Sequence, residues 1–286
     1  QRVVSNIGSL ELIDKEISLL TKNQEISGKK KISNFKESIK FKNVSFSYIE
    51  NSKTIDDVSL TIPAKKTIAF VGESGSGKTT MADLITLILK PISGEILIDD
   101  VSSGNLNLFD WRSKIGYISQ DNVMFNDTIA NNICLWNGDL NNKSLMKKIE
   151  SAAEKASLDE FIRSLPKGYN TVIGDRGIRL SGGQRQRIFI ARELFREPIL
   201  LILDEATSAL DSNIESYVQK SIDKLKGKIT IIIIAHRLST ITNSDKIFVF
   251  DKGKLIEEGT YSFLSSSSSS RFYKLAQGKY TAENQG

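Results

Sequence analysis

Cysteine and long apolar runs are nearly missing from this sequence. Of its 286 residues only Cys134 is a cysteine, so no disulfide can form within the chain and no cysteine-rich metal cluster is possible. This cysteine usage suits a reducing compartment, and we expect the chain to be cytosolic. The longest apolar runs, residues 199–203 and 231–235, are far shorter than the roughly 20 residues of a membrane-spanning helix. The sequence therefore predicts no segment that crosses a bilayer.

The excess of positive charge is also small. The chain has 39 basic and 34 acidic residues, a formal net charge of +5, and its lysine clusters at 29–31 and 147–148 are short. We therefore do not expect it to bind nucleic acid. Its first residues lack the pattern of a secretory signal. Because the sequence begins at Gln1 rather than Met, we interpret it as a piece of a longer protein.

The most informative stretch is a glycine-rich loop between an apolar run, 68–71, and a helical spacing over 81–89. The loop fits G-x-x-x-x-G-K-[ST], and it consists of Gly72, Glu73, Ser74, Gly75, Ser76, Gly77, Lys78, Thr79 and Thr80. Backbone N–H groups of such a loop bind phosphates at a helix N-terminus, which predicts a nucleoside triphosphate with magnesium as the ligand. Lys78 would reach the β and γ phosphates, and the Thr79 hydroxyl would bind the metal. The alternative is an ordinary glycine turn before a helix.

Hydrophobic spacing predicts the remaining elements. Intervals of three and four residues predict a helix over 4–20, followed by a polar, lysine-rich linker. Alternation over 39–48 and 55–62 predicts an antiparallel hairpin. After the glycine-loop helix, the patterns predict short strands over 95–98 and 114–119, a helical lobe over 145–165, a helix that ends at 195, buried strands over 199–203 and 230–234, a helix over 212–226, a hairpin over 247–258 and a flexible surface loop over 265–270. Strands flanked by helices imply a parallel sheet that is covered on both faces.

Several polar residues directly follow predicted strands. Asp204 and Glu205 end one buried strand, where ligands of parallel sheets bind. Asp204 would hold hydrated magnesium, and Glu205 could accept a proton from an attacking water; alternatively, the two carboxylates cap the next segment. His236, the one histidine of the chain, and Gln120 also follow strands. Taken alone, either is as consistent with an ordinary hydrogen-bonded residue as with a catalytic one.

A second glycine loop, Leu180 to Gln184, precedes the helix that ends at 195. It offers a second helix N-terminus for a phosphate. Lys78, Gly182, Asp204 and His236, in this order and with these neighbours, resemble the ATP-binding cassette family, in particular the nucleotide-binding domain of an exporter-type ABC transporter. The resemblance covers roughly residues 39–276.

The resemblance implies a role for each matching residue. Tyr48 would stack on adenine, Gly72 to Thr80 would be the Walker A loop, and Gln120 would be the Q-loop glutamine. The signature would be Ser181, Gly182, Gly183 and Gln184, with Asp211 in the D-loop. The metal ligands would be Thr79, Gln120 and Asp204, and the catalytic residues Glu205, His236, Gln120 and Lys78. Residues 171–177 are similar to the exporter X-loop, whereas Ser119 departs from the proline that the family often has before its glutamine.

The resemblance also implies the fold and the partners. We expect an α/β fold: a P-loop NTPase core, whose mostly parallel sheet lies between helices, with an antiparallel β subdomain and a small helical subdomain over about 121–195. Residues 1–35 would be a helix and linker that trail from an N-terminally fused transmembrane domain, and 36–286 would be the ATPase domain. Two such domains would pair head to tail around ATP and Mg²⁺ at the cytoplasmic face of the cell (inner) membrane.

The function implied is ATP hydrolysis that drives export or lipid flipping. One alternative is a signature-containing ATPase of DNA repair or chromosome organisation, but no sustained heptad pattern lies between Gly77 and Ser181. A GTP switch is a third class, and the sequence has no N-K-x-D segment that would read guanine. A purely structural or adaptor role would not need an intact Glu205. The transported substrate is not encoded here, since its specificity would lie in the membrane domain.

Overall fold

A computed structural model of the chain describes residues 11–19, 25–49, 52–119, 122–204, 212–235 and 240–283. Its strands are β1 (Ser38–Ile49), β2 (Ser52–Pro63), β3 (Thr67–Val71), β4 (Ser93–Ile98), β5 (Val101–Ser102), β6 (Ile115–Ile118), β7 (Leu200–Asp204), β8 (Thr230–Ile234), β9 (Lys246–Asp251) and β10 (Lys254–Gly259). Its helices are α1 (Lys78–Ile85), α2 (Leu108–Ser113), α3 (Ile129–Cys134), α4 (Lys143–Lys155), α5 (Asp159–Ser164), α6 (Gly182–Phe195), α7 (Ser212–Leu225), α8 (Tyr261–Ser265) and α9 (Arg271–Glu283).

The central sheet has the strand order β10-β9-β3-β8-β7-β6. Neighbours from β9 to β6 are parallel, and β10 adds an antiparallel edge. Every residue of β3, β7 and β8 is buried, as expected of strands covered by helices on both faces. Parallel strands bring their carboxyl ends to one edge, so the glycine loop after β3 and Asp204 at the end of β7 share that edge. The predicted α/β core is confirmed.

A second sheet, in the order β2-β1-β4-β5, is antiparallel. Ile39 on β1 pairs with Ile62 on β2 and with Ile98 on β4, and these three isoleucines are buried in one apolar cluster together with Met81 of α1. This sheet therefore covers α1 from outside. The predicted antiparallel β subdomain and the hairpin of β1 and β2 are confirmed.

The helical lobe differs from the continuous helical pattern expected over 145–165. The structure has two helices there, α4 and α5. Ser157 between them takes a left-handed conformation with φ of 56°, and the chain turns so that Leu158 and Ile162 become buried. Burial of these two side chains outweighs continuation of the helix.

Other boundaries also differ from the sequence prediction. The helix expected over 81–89 ends at Ile85, and Leu87, with φ of 59°, turns inward while Ile88 is exposed. The serine run expected as a flexible loop ends α8 and is then fixed at Ser270, whose buried hydroxyl donates to Glu257 Oε2 at 2.8 Å.

At the start of the chain, residues 11–19 are helical and exposed, which confirms that part of the helix expected over 4–20. The remainder of that helix lies outside the described residues. Within the part of the chain that the structure describes, no helix combines the length and apolar character needed to span a bilayer.

Candidate nucleotide-binding site

The glycine loop connects the buried end of β3 to the first turn of α1. Gly77 is the N-cap of α1, with φ of 101°, and no side chain caps this helix end. A Cβ at Gly77 would approach Ile55 Cδ1 to 2.6 Å and the Thr54 carbonyl oxygen to 3.1 Å, whereas a Cβ at Gly75 would meet nothing within 4 Å. Gly77 is therefore required by both conformation and space, and Gly75, with φ of 77°, by conformation alone.

Lys78 begins α1 and is only 5% exposed. Its ammonium donates to the carbonyl oxygens of Gly72 and Glu73 at 3.0 and 2.8 Å. The side chain thus folds back along the loop and holds its positive charge over the helix N-terminus. Backbone donors without a side-chain cap, together with a fixed cation, fit the phosphates of a nucleoside triphosphate.

Tyr48, at the end of β1, lies beside this loop. Its hydroxyl is 3.3 Å from Thr80 Oγ1 in the first turn of α1, and its ring packs edge-on against Phe46 with a centroid distance of 4.9 Å. Yet 60% of the residue is exposed. Tyr48 is therefore anchored next to the phosphate-binding loop with ring surface left for another planar group.

Asp204 ends β7 and is 8% exposed. Tyr117 on β6 donates a hydrogen bond from its hydroxyl to Asp204 Oδ2 at 3.2 Å. Burial, and next the charge of Asp204, raise the pKa of Tyr117, so the phenol stays protonated as a donor. The same two causes raise the pKa of Asp83 on α1. Two carboxylates therefore interact at this edge of the sheet, and carboxylate and hydroxyl oxygens such as those of Asp204 and the exposed Thr79 are of the type that Mg²⁺ prefers.

The second glycine loop lies at the start of α6, on the helical lobe. Ser181 is the N-cap, and its hydroxyl accepts from the Gln184 N–H at 3.2 Å while Gln184 Oε1 accepts from the Ser181 N–H at 2.8 Å. This is a complete capping box. Beside it, Arg187 donates to the Ser157 carbonyl oxygen at 2.6 Å, and both residues line a cavity of about 860 Å³.

Four residues of the predicted site lie outside the described part of the chain: Gln120, Glu205, Asp211 and His236. Their roles stay predictions from the sequence. The structure adds two contacts that sequence reasoning missed, namely the bond from Tyr117 to Asp204 and an ion pair of 2.8 Å between Arg271 and Glu73 of the loop. Both join residues more than 80 positions apart, and no local pattern signals them.

The fold and these contacts define a P-loop nucleotide-binding domain. A model of the family described as ABC transporter matches residues 55–208, which is more than half of the chain. The chain belongs to this family. ABC exporters hydrolyse ATP with Mg²⁺, so the predicted enzyme class and cofactors are confirmed at the level of the family.

Three relatives show the degree of similarity over most of this chain. An ATP-dependent lipid A-core flippase of Photobacterium profundum is 45% identical over 239 residues, which are 83% of this chain and 40% of that protein. The heterocyst differentiation ATP-binding protein HepA of Nostoc is 43% identical over 254 residues, 89% of this chain and 41% of that protein. ABC transporter B family member 14 of Arabidopsis thaliana is 48% identical over 229 residues, 80% of this chain and 18% of that protein.

The solved structure of a bacterial Atm1-family ABC exporter with ATP bound superposes with a TM-score of 0.80 at 35% identity, and the match covers 92% of this chain and 47% of that one. The chain thus spans about two fifths of the length of its bacterial relatives. The exporter-type resemblance is confirmed, and the DNA-repair alternative is not supported.

Proposed function

We propose that this chain is the ATP-hydrolysing motor domain of an exporter or flippase, and that it works as a head-to-tail pair. The observation that carries this proposal is the contrast between its two glycine loops. One combines an uncapped helix N-terminus with the buried ammonium of Lys78. The other is on the helical lobe and presents the start of α6. In a head-to-tail pair, the second loop of one chain closes over the nucleotide that the first loop of its partner binds.

The nucleotide would be bound by several groups of the same chain. The loop N–H groups and Lys78 would hold the triphosphate, and the exposed ring of Tyr48 would stack on the base. Thr79 and Asp204, with Gln120 from the sequence, would hold Mg²⁺, which when bound neutralises charge on the phosphate oxygens. Glu205 would accept the proton of the attacking water, and His236 would contact the γ phosphate from the adjacent strand end.

The second partner would be a pair of membrane-spanning domains. A groove of about 660 Å³ lies at the end of α1 and is lined by Thr86, Ile88, Phe109, Arg112 and Tyr117, among others. Ile88 and Phe109 are 60% and 84% exposed, which is typical of apolar residues that another protein surface covers. The relatives are more than twice as long as this chain, so their additional residues are the natural occupant of this groove. This arrangement would put the motor at the cytoplasmic face of the membrane.

The proposed domain division also has support in the described residues. The helix over 11–19 exposes Leu12 and Ile13 at 66% and 54%, consistent with a segment that continues from a membrane domain. Residues 25–37 then run onto the motor, where the Ile32 N–H donates to Asp110 at 3.0 Å. The helical subdomain of about 121–195 would hold α3 to α6.

The test is turnover by the purified chain at several protein concentrations. If pairs hydrolyse ATP, the phosphate release rate should rise with the square of the chain concentration while monomers predominate, and EDTA should abolish it. GTP should be used at a similar rate, because a stacked ring offers no base-specific hydrogen bonds. A rate strictly proportional to chain concentration, or hydrolysis that persists without a divalent cation, would contradict the proposal.

A further inference from the structure

The hydroxyl of Tyr117 reaches the metal-binding carboxylate across two neighbouring strands. Tyr117 on β6 pairs with Ile202 on β7, and Asp204 lies two residues beyond Ile202 on the same face of the sheet. Two residues of a parallel strand advance by about 6.6 Å, a distance that a tyrosine side chain spans along the strand. The observed bond of 3.2 Å from the hydroxyl to Asp204 Oδ2 follows from this register.

The backbone of Tyr117 is itself fixed. It stands within the parallel ladder of β6 and β7, between the paired residues Gly116 with Leu201 and Ile118 with Leu203. The hydroxyl that reaches Asp204 is therefore carried by a residue whose backbone is held within the central sheet. Such a donor can fix the orientation of the carboxylate that it contacts.

We propose that Tyr117 is a positioning residue for the magnesium site: its hydroxyl holds the Asp204 carboxylate, through Oδ2, in the orientation in which this carboxylate binds the metal or a metal-bound water. This inference rests on the proposed function, because it assigns Asp204 to Mg²⁺. The hydrogen bond from Tyr117 also opposes an electrostatic repulsion. The charge of Asp83 on α1 interacts unfavourably with that of Asp204. Like charges push a carboxylate out of a shared site, and a donated hydrogen bond holds it there.

The variant Tyr117→Phe removes the hydroxyl and keeps the ring. We expect the dissociation constant of Mn²⁺ from the chain–ADP complex, measured by electron paramagnetic resonance, to rise about tenfold, as is typical when a metal ligand loses its outer partner. Binding of ADP in EDTA should stay at the native value. The matched control is Tyr169→Phe, which deletes a phenolic hydroxyl from a partly buried tyrosine of the helical lobe and should leave both constants native.

Two results would overturn the inference. In one, Tyr117→Phe binds Mn²⁺ as tightly as the native chain; in the other, it loses metal-free ADP binding to the same extent as Mn²⁺ binding, which indicates a general structural role. Failure of the proposed function is recognised separately, because then the native chain itself would bind no Mn²⁺ with ADP. A native chain that binds Mn²⁺ tightly beside an unchanged Tyr117→Phe variant therefore disproves the role of Tyr117 alone.

Discussion

The two glycine-rich loops of this chain precede helices, α1 and α6, whose N-terminal N–H groups are treated in opposite ways. Every helix N-terminus has backbone N–H groups without helical partners. At α6 the side chains of Ser181 and Gln184 satisfy two of these groups reciprocally. At α1 no side chain caps the helix, and the buried ammonium of Lys78 lies there instead. The start of α6 thus has two N–H groups satisfied by its own side chains, whereas the start of α1 combines N–H groups that no side chain caps with a cation, an arrangement that favours an anion.

Under the proposed head-to-tail pairing, this difference fits distinct tasks for the two loops. A capped helix end is stable in water by itself, so the signature loop can stay folded while it faces solvent and can later meet a nucleotide held by another chain. An uncapped end next to a buried cation is stabilised by an anion. We therefore expect nucleotide to bind at α1 first and the start of α6 to act afterwards.

The largest expected effect on ATP hydrolysis comes from a substitution at the N-terminus of α1. Lys78→Ala removes the buried ammonium, which in a P-loop contacts the β and γ phosphates as a point charge. We expect ATP hydrolysis to fall by roughly 10²–10³-fold, the usual cost of a lost electrostatic contact to the reacting group. Phosphate release is the measurement, and Lys42→Ala, at an exposed lysine of β1, is the control. If Lys78→Ala hydrolysed ATP at the native rate, the proposed difference between the starts of α1 and α6 would be wrong.

The next effect comes from blocking the α6 end. Ser181→Arg should leave nucleotide binding within one chain unchanged, because the Walker A loop is untouched, but the larger side chain should prevent closure of the pair and turnover. Mixing equal amounts of Ser181→Arg and Lys78→Ala should restore at most roughly a quarter of the native rate, since half of random pairs are mixed and each has one sound site of two. A mixture that stays inactive argues against head-to-tail pairing.

A smaller effect should follow when the N-cap of α6 is removed without the addition of a larger side chain. Ser181→Ala deletes the hydroxyl that accepts from the Gln184 N–H, and we expect the free energy of unfolding to fall by about 1 kcal/mol. Urea unfolding of the nucleotide-free chain measures this loss. Ser144→Ala serves as the control, because the cap of α4 is Asn142 rather than Ser144. Equal stabilities of the two variants would mean that the capping box contributes nothing in solution.

The smallest effect concerns a charge on α1. Burial and the charge of Asp204 raise the pKa of Asp83, so the folded chain holds this proton at pH values where the unfolded chain has lost it. The contribution of Asp83 to stability therefore falls as the pH rises through that window. Asp83→Asn should have a higher melting temperature than the native chain at pH 7, with the gain shrinking towards pH 4.

The matched control for that variant is Asp100→Asn. Asp100 is paired with Lys40 at 2.7 Å, and this contact lowers its pKa, so its loss should not raise the melting temperature. If Asp83→Asn and Asp100→Asn shift the melting temperature at pH 7 in the same direction, the electrostatic account of the α1 region is wrong.

The elements that the sequence predicted well have strong periodicity or distinctive residues. The buried strand β8 and the first four residues of β7 are uninterrupted runs of β-branched residues and leucine, and the loop before α1 fits the specific spacing G-x-x-x-x-G-K-[ST]. Two six-residue helices, α2 and α3, were not predicted, because less than two turns of helix leaves no readable period. Ser157 was not recognised as a break, since serine is not one of the residue types that commonly take a left-handed conformation.

Candidate site residues could be predicted from the sequence within single segments. Contacts between segments that are distant in sequence could not. Lys78 and Ser181 stand in local turns, so their spacing alone indicated them as candidates. The contact of Tyr117 with Asp204 depends on the register between β6 and β7, and the sequence does not reveal this register for two residues that are 87 positions apart. The ion pair of Arg271 with Glu73 likewise needs the docking of α9 near the loop.

The most direct test of the account is the mass of the Glu205→Gln chain with Mg²⁺ and ATP. This substitution keeps the size of the side chain and removes the proposed base, which typically slows a reaction by about 10²–10⁴-fold. Both nucleotides should then stay uncleaved between the two chains. Size-exclusion chromatography with light scattering should report a particle of twice the 31.8 kDa chain mass with Mg²⁺ and ATP, and a monomer without them. A variant that remains monomeric at saturating ATP while hydrolysing at the native rate would contradict the pairing and the role of Glu205 together.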